Sequence, residues 1–345
     1  MKRKLASIQT IHDIQNIENA DRIQKAKVLE YQVVIPKGLF NENEPVVFFE
    51  ADAFLPIERR YEFLRSDSYK NSRYMGEGFK VRAKELRGEV TLGLCMKLSD
   101  FPELEGCKIG DDVSDLLKVR KWDEPIGINN LASTHGNKPY YIQTTDEIRL
   151  QSVPKLIEEI KGKPYYISQK IDGTSITMYS VDGKFGATTR EKNILLEKHG
   201  VIPRYIEERG LKDKFLDFGK DLIVQGEFAG PNIQKNVLGL SEYKWFIFDA
   251  FLRYDNGNFK SVDLDTLVRI AEFLKEDTVP ILEVGDEFTY SIDDLVLFSK
   301  SGFYKNGRPQ EGIVVKSKDY VYSEELKKRF SFKVLNNRYL TKEEK

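Results

Sequence analysis

Short β-rich runs, each followed by turn-forming residues, set the strongest limit on how the first third of this chain can fold. Between Ile8 and Leu117 these runs are Lys27-Val28-Leu29, Gln32-Val33-Val34-Ile35, Pro45-Val46-Val47-Phe48-Phe49, Phe79-Lys80-Val81-Arg82 and Val90-Thr91-Leu92-Gly93-Leu94-Cys95-Met96. The turn markers between them are Gly38, Asn41, Pro56, Gly76, Gly78, Gly88 and Gly106. This spacing predicts a small Greek-key β-barrel.

The rest of the chain mixes strand and helix patterns. Asp182-Gly183 lies between two β-rich runs and predicts a two-residue hairpin turn, which would place Val181 opposite Lys184 and Ser175 opposite Arg190. Apolar spacing over 264–274 predicts a helix, and Ser291-Ile292-Asp293-Asp294 predicts a second helix that begins with a capping box. The fold class that follows is α+β.

Two further segments have the pattern of buried strands. Leu222 to Phe228 is apolar and includes an acid, Glu227, and Tyr243 to Phe251 is mostly aromatic and apolar. Strand alternation would place Phe246, Phe248 and Ala250 on one face of the second segment and Asp249 on the other. A buried acid is costly unless it is paired or binds a metal, so Glu227 is a candidate functional residue.

Composition excludes several classes of protein. The 345 residues carry a net charge of -1 and 40% hydrophobic residues, and no apolar run approaches the roughly 20 residues that span a bilayer. Because Met1-Lys2-Arg3-Lys4 precedes no signal-peptide core, we expect an intracellular protein, cytoplasmic or nuclear. Two cysteines and three histidines are too scattered for a zinc site or a disulfide framework, and no Gly-rich phosphate-binding loop is present.

One stretch points to chemistry: Ser168-Gln169-Lys170-Ile171-Asp172-Gly173-Thr174-Ser175. It places a single lysine between a strand and a sharp turn, followed by an acid, which makes Lys170 a candidate for covalent catalysis. At its ordinary pKa of about 10.4 roughly one lysine in a few thousand is neutral at pH 7, so a nucleophilic lysine needs nearby positive charge or desolvation. A solvated turn after a strand is the alternative.

The order of the segments that follow this lysine favours catalysis. They are Thr189-Arg190, Gln225-Gly226-Glu227, Trp245-Phe246-Ile247-Phe248-Asp249, Glu311-Gly312-Ile313-Val314-Val315-Lys316 and Ser331-Phe332-Lys333. The series resembles the ordered motifs of the covalent lysyl-nucleotidyltransferases, the superfamily of ATP-dependent RNA and DNA ligases and mRNA capping enzymes. Residues 5 to 122 resemble the OB-like domain at the N-terminus of one branch of RNA ligases, through Ala20-Asp21-Arg22-Ile23, Val34-Ile35-Pro36-Lys37-Gly38 and Leu86-Arg87-Gly88.

The resemblance implies a domain order. We expect an OB-like RNA-binding domain over 1–122, a linker over 123–139 and an adenylyltransferase domain over 140–345, with antiparallel sheets flanked by helices in an ATP-grasp-like ligase arrangement. In the first domain, alternation from Phe79 onward would place Lys80, Arg82 and Lys84 on one strand face, where they could follow RNA phosphates. A plain solvated strand face is the alternative.

The same resemblance implies site residues. The expected catalytic residues are Lys170, Asp172, Arg190, Glu227, Glu311, Lys316 and Lys333. The residues expected to bind the nucleotide are Arg149, Gln169, Ser175, Phe248, Val314 and Lys327. Asp172, Glu227 and Glu311 would hold Mg²⁺ or Mn²⁺, in part through water, because hard cations prefer carboxylate oxygens and Mg²⁺ keeps several of its waters.

The function that the resemblance implies is ATP-dependent joining of 3'-hydroxyl and 5'-phosphate RNA ends at nicks, through a lysyl-AMP intermediate. Ser175 stands where DNA ligases carry an arginine, and a Lys-x-Lys expected near the end has Ser331 or Leu335 in one place, which leaves its second lysine open among Lys316, Lys318, Lys327 and Lys328. The alternatives are a DNA ligase, a GTP-using capping enzyme and a non-catalytic RNA-binding protein.

Overall fold

The computed structural model describes residues 3–122, 131–144, 146–254 and 257–343. These residues form two compact units, and neither is continuous in sequence. The first unit contains residues 3–122, 149–154 and 337–343, and the second contains 131–148 and 155–336. Residues 123–130 of the expected linker lie outside the described residues.

The first unit is built from antiparallel strands. They are β1 (Ala6–Asn16), β2 (Ile23–Val28), β3 (Tyr31–Pro36), β4 (Pro45–Glu50), β5 (Ala53–Leu55), β6 (Tyr69–Ser72), β7 (Gly76–Lys80), β8 (Lys84–Leu86), β9 (Glu89–Thr91), β10 (Gly93–Lys97) and β11 (Arg120–Lys121). One sheet has the order β10-β4-β1-β2-β3, a second has the order β11-β5-β7-β6, and β8 pairs with β9. Strand β4 is buried on both faces, because Val46 and Phe48 pack in one apolar cluster while Val47 and Phe49 pack in another.

The prediction that Lys80, Arg82 and Lys84 share one strand face in this unit is wrong. Strand β7 ends at Lys80 and β8 begins at Lys84, so Lys80, Arg82 and Lys84 do not share one strand. The chain leaves β7 because the two apolar residues between these basic ones, Val81 and Ala83, pack in different clusters. The Lys80 ammonium lies 3.8 Å from an Asp52 carboxylate oxygen, and the Lys84 ammonium donates to Asp67 at 2.6 Å.

The second unit contains the other strands. They are β12 (Thr134–His135), β13 (Tyr165–Lys170), β14 (Thr174–Val181), β15 (Lys184–Thr188), β16 (Asn193–Ile194), β17 (Leu222–Ala229), β18 (Lys244–Arg253), β19 (Phe259–Ser261), β20 (Ile281–Gly285), β21 (Gly312–Ser317), β22 (Tyr322–Ser323), β23 (Lys328–Arg329) and β24 (Ser331–Leu335). The larger sheet has the order β12-β16-β15-β14-β17-β18-β19, and the smaller one has the order β20-β13-β21-β24. A hairpin of β22 and β23 stands apart.

The helices are short and cover the sheets. They are α1 (Arg65–Ser68), α2 (Leu156–Ile160), α3 (Val201–Glu208), α4 (Leu211–Asp217), α5 (Leu264–Leu274), α6 (Ile292–Ser301) and α7 (Asn337–Glu343). Both sequence-based helix predictions are confirmed, and Ser291 and Asp294 form the expected reciprocal capping box at the start of α6. Helices α3, α4 and α5 bury their apolar residues in one core with strand residues such as Val224 and Trp245. The α+β class is therefore confirmed.

The predicted hairpin turn forms, but its register does not extend to Arg190. Asp182 and Gly183 have φ angles of 50° and 70°, and Val181 lies opposite Lys184. Pairing of β14 with β15 ends at Thr177 and Thr188. Thr189 then turns, because its N–H donates to the Lys192 carbonyl, so the predicted pair of Ser175 with Arg190 is wrong. Ser175 pairs with Glu227 of β17 instead.

A β-bulge changes the expected alternation in β18. Gln225 of β17 lies opposite Asp249, whereas the next residue, Gly226, lies opposite Ile247, so β18 has one extra residue at Phe248. Phe246 and Phe248 pack in one apolar cluster, but Ala250 packs with Ile247 in the other. The predicted faces are wrong for Ala250 and for Asp249, which lies on the same face as Phe246, because the bulge reverses which residues point to each face after it.

Membrane spanning can be judged for the helices of the described residues. None of them combines the length and the apolar character that a crossing would need.

We predict that Gly226→Ala destabilises the protein by about 2 kcal/mol, because a Cβ there would overlap the indole of Trp245, which is buried and donates to the Ile176 carbonyl at 3.0 Å. Gly186→Ala is the matched control in β15. Its Cβ would meet the ring end of Tyr179, a half-buried side chain that can rotate away, so its loss should be smaller. Urea unfolding of both variants measures the difference. Equal losses would contradict the role given to the indole.

Candidate active site

Lys170 is the last residue of β13, and a three-residue turn leads from it to β14 in the other sheet of this unit. The turn closes tightly at Gly173, where a Cβ would lie 2.6 Å from the Phe228 carbonyl oxygen and 2.9 Å from Glu227 Cγ. Only glycine allows this approach of the turn to β17. The fold thus places Lys170 beside the strand that carries Glu227.

A second carboxylate reaches Lys170 from the neighbouring strand of the smaller sheet. Lys170 pairs with Gly312 of β21, which places the preceding residue, Glu311, next to the lysine. Lys170 Nζ donates to Glu311 at 2.7 Å, and both side chains are largely buried. Sequence order alone would not show that these residues, 141 positions apart, form an ion pair.

The protein does not lower the pKa of Lys170. Burial acts to lower it, but the carboxylates of Glu311, Glu227 and Asp172 outweigh burial and raise the pKa above the ordinary value. The amine is therefore an ammonium at neutral pH in the free protein. The positive charge that a nucleophilic lysine requires has to come with whatever the site binds.

Glu227 is in the opposite protonation state from an ordinary glutamate. Its pKa is raised to about 8, because burial and the Glu311 and Asp172 carboxylates together outweigh Lys170 and the Gly173 N–H, which act to lower it. Three carboxylates thus surround one amine, and one of the three keeps its proton at pH 7. A surplus of half-buried acids over bases of this kind is what a site for a cation requires.

The carboxylates do not converge on one point. Within the described ranges, no three His, Cys, Asp or Glu side chains are arranged to bind a metal directly. Asp172, Glu227 and Glu311 still interact electrostatically around Lys170. Oxygen donors at this spacing fit a hydrated hard cation that some of them reach through its water ligands.

The face of the smaller sheet that carries Lys170 also carries three other expected site residues. Ser168 of β13 lies opposite Val314 of β21, and Val314 lies opposite Lys333 of β24. Directly opposed residues share a face, and residues two apart on one strand do as well, so Val314, Lys316 and Lys333 lie on the Lys170 face. Gln169 is buried on the other face, where its backbone N–H donates to the Pro280 carbonyl at 2.8 Å.

Lys316 belongs to a buried ionic network. Its ammonium lies 3.0 Å from an Asp249 carboxylate oxygen and donates to the Phe248 carbonyl at 2.8 Å. Arg329 approaches the other Asp249 oxygen at 3.3 Å and also bonds Ser261. The two cations keep the pKa of Asp249 below its usual value, although burial acts against them. Lys316 therefore holds the bulged segment that presents Phe248.

Three expected site residues are not joined to this group by an observed contact. Arg149 belongs to the first unit, where it is buried and lies 3.1 Å from Asp52. Arg190 is half-exposed and forms an ion pair with Asp146. Lys327 is 70% exposed and donates to Glu324 at 3.0 Å. Their roles stay predictions.

Comparison with known protein families matches two parts of the chain. Residues 5–98 match an OB-fold domain family. Residues 163–335, half of the chain, match the RNA ligase family, and this stretch contains Lys170, Glu227, Glu311 and Lys333. The chain belongs to the RNA ligase family. The expected OB-like domain at its N-terminus is confirmed.

Solved structures similar to this RNA ligase cover nearly its whole length. An RNA ligase from Naegleria gruberi, solved with PPi, is 29% identical, with a TM-score of 0.86 and 98% of each chain covered. A mutant of that protein with ATP and Mn is 28% identical, with a TM-score of 0.87 and 98% of each chain covered. No curated protein sequence matches the chain.

Sequence reasoning missed several residues of this RNA ligase that shape the site. Asp249 and Arg329 form the network around Lys316, and Glu147 accepts from Ser331 and lies 3.8 Å from Lys328. Tyr304 is buried, and its pKa is raised by burial and by the Glu311 and Asp172 carboxylates. Only Asp249 had a sequence signal, as an acid inside an aromatic strand.

We predict that the free protein loses stability as pH rises from about 5 to about 8. A folded-state pKa of about 8 at Glu227 lies above the ordinary value, so the folded protein binds more protons than the unfolded chain in that window. Glu227→Gln should flatten this dependence in thermal midpoints measured across pH. The exposed Glu272→Gln is the control, and an unchanged slope for Glu227→Gln would refute the raised pKa.

Proposed function

We propose that the protein is an ATP-dependent RNA ligase that joins 3'-hydroxyl and 5'-phosphate RNA ends through a lysyl-AMP intermediate on Lys170. The observation that carries this proposal is the placement of Lys170 at a strand end among Glu311, Glu227 and Asp172. The similar Naegleria gruberi RNA ligase has been solved with ATP and Mn and with AMP and Mn, which supports the nucleotide and the ion proposed here.

In the first step the deprotonated Lys170 amine attacks the α-phosphorus of ATP. A P–N bond forms, the bond to the bridging oxygen breaks and pyrophosphate leaves. Glu311, which already accepts a hydrogen bond from Lys170 Nζ, orients the amine and is placed to take its proton. Asp172, Glu227 and Glu311 would hold Mg²⁺ or Mn²⁺, partly through water, and that ion supplies positive charge that lowers the lysine pKa.

The remaining site residues would bind the nucleotide. Arg190, Lys333 and Arg149 are the proposed phosphate contacts, with Lys327 as a further one and Ser175 beside Glu227. Phe248 and Val314 would contact the adenine, whereas Gln169, whose side chain lies on the other face of the sheet, would approach the nucleotide only through its backbone. Lys316 acts by holding the Phe248 carbonyl and Asp249, so we assign it to positioning the aromatic ring.

Two further steps would complete the reaction. The adenylate passes from Lys170 to the RNA 5'-phosphate, and the 3'-hydroxyl of the other end then attacks that phosphate and expels AMP. The first unit, with the OB-fold match over 5–98, would bind the RNA. Lys328 is the proposed second lysine of the final motif, because it shares Glu147 with Ser331, one of the two residues that could stand in the expected lysine position.

We predict that label from ATP transfers to the protein and that Lys170→Ala abolishes this transfer. The test is incubation with labelled ATP and, separately, labelled GTP, followed by a denaturing gel. Lys184→Ala, which changes an exposed lysine at the start of β15, is the control and should keep the wild-type signal.

Three other results of the labelling experiment would contradict parts of this proposal. A protein-AMP band that persists in Lys170→Ala would move the nucleophile to another residue. Labelling by GTP alone would favour a capping enzyme, and labelling by neither nucleotide would favour a non-catalytic RNA-binding protein.

We predict that the strand supplying the 3'-hydroxyl must end in ribonucleotides, whereas the 5'-phosphate strand can be DNA or RNA. A terminal 2'-hydroxyl is both donor and acceptor and can be read directly by the protein. The measurement is sealing of nicked duplexes that differ only in the sugars flanking the nick. Efficient sealing of an all-deoxyribose 3'-hydroxyl strand would instead favour a DNA ligase.

A further inference from the structure

A loop of unusual backbone geometry lies beside the lysine turn. We name residues 230–240, which follow β17, the clasp. Four of its residues other than glycine have left-handed backbones: Asn232 with φ 64°, Gln234 with φ 44°, Lys235 with φ 57° and Asn236 with φ 47°. A Cβ makes this conformation unfavourable, and glycine adopts it at the least cost. Gln234, Lys235 and Asn236 are therefore three consecutive residues whose backbone conformation costs free energy.

The Gln234 and Asn236 side chains form hydrogen bonds to nearby backbone groups. Gln234 Nε2 donates to the Gly173 carbonyl at 3.3 Å, which ties the clasp to the turn after Lys170. Asn236 closes the clasp on itself, because its side chain donates to the Leu240 carbonyl at 2.8 Å and accepts from the Leu240 N–H at 3.0 Å. Strained backbone persists where its side chains are required, and such residues concentrate at functional sites.

The clasp contacts the site at two further points. Leu238 and Leu240 pack against the apolar cluster that contains Ile171, the residue directly after Lys170. The Val237 carbonyl accepts from Asn306 Nδ2 at 2.9 Å, and Asn306 lies in the loop that leads to Glu311. The clasp therefore contacts both the turn that follows Lys170 and the loop that precedes Glu311.

We propose that the clasp sets the position of the Lys170 amine for adenylation, with Gln234 as a positioning residue that acts through the Gly173 carbonyl. Lys170 and Thr174 end and begin two strands in different sheets, and only Ile171, Asp172 and Gly173 connect them. Fixing the Gly173 carbonyl removes freedom from this short turn and hence from Lys170 and Asp172. The inference rests on the proposed lysyl-AMP chemistry.

The test compares glycine at two adjacent left-handed positions. Gln234→Gly relieves strain and removes the amide that holds Gly173, whereas Lys235→Gly relieves strain and leaves that amide in place. Both thermal midpoints should stay within about 2 °C of the wild type or rise. Lysyl-AMP formation at saturating ATP should fall about tenfold in Gln234→Gly, because small misplacement of a reacting group is costly, and stay within about twofold in Lys235→Gly.

A third variant separates the hydrogen bond from the backbone. Gln234→Glu keeps the side-chain length and the strained backbone but replaces the amide donor with a carboxylate acceptor. It should therefore slow lysyl-AMP formation as much as Gln234→Gly does. The apparent KM for ATP should stay unchanged. Wild-type rates in either Gln234 variant would overturn the proposal. Equal slowing by Lys235→Gly would also overturn it.

Hydrogen exchange keeps this inference separate from the proposed chemistry. Backbone amides between Lys170 and Ser175 should exchange faster in Gln234→Gly than in Lys235→Gly, whether or not the protein forms lysyl-AMP. If the wild type forms no adenylate, the proposed function fails while the exchange data still decide whether Gln234 restrains the turn. Identical exchange in the two variants would show that it does not.

Discussion

The ion pair between Lys170 and Glu311 is the interaction around which the candidate active site of the second unit is built. It joins the end of β13 to the start of β21, and Glu227 and Asp172 add two carboxylates around one amine. An arrangement with more buried acid than base costs stability in the free protein. It persists because β13 is held centrally in its sheet, with β20 on one side and β21 on the other.

The β-bulge in β18 determines the position of Phe248, as the pairing of β13 with β21 determines the position of Lys170. One extra residue in β18 moves Asp249 to the face that Phe246 and Phe248 occupy, where Lys316 and Arg329 can neutralise it. Without the bulge, alternation would point Asp249 into the apolar core with Ile247. Because of the bulge, Asp249 is neutralised by Lys316 and Arg329 instead of lying unpaired in the apolar core, and these contacts hold the segment that carries Phe248.

Local signals in the sequence predicted the local structure well. Asp182-Gly183 predicted the hairpin turn and its first paired residues, and Ser291 and Asp294 predicted the start of α6. The order of the motifs singled out Lys170 together with Asp172, Glu227 and Glu311, which lie around it. The sequence did not predict where β15 ends, the bulge at Phe248 or the end of β7, because pairing between distant strands and packing into separate clusters decide these. Gln234-Lys235-Asn236 carries no glycine, and only Asn236 is of a type that adopts the left-handed region readily, so the left-handed backbones of Gln234 and Lys235 had no sequence signal.

In the proposed reaction, the electrostatics of the free site would keep Lys170 unreactive until a substrate binds. Glu227 keeps its proton at pH 7 and Lys170 keeps its charge, so the free site is closer to neutral than three carboxylates would suggest. The same carboxylates that hold the ammonium prevent it from acting as a nucleophile. Any positive charge that enters among them weakens both effects together, because it favours the ionised form of Glu227 and the neutral form of Lys170. In the proposed reaction, activation of Lys170 as the nucleophile and occupation of the acidic site by a cation are therefore linked by charge.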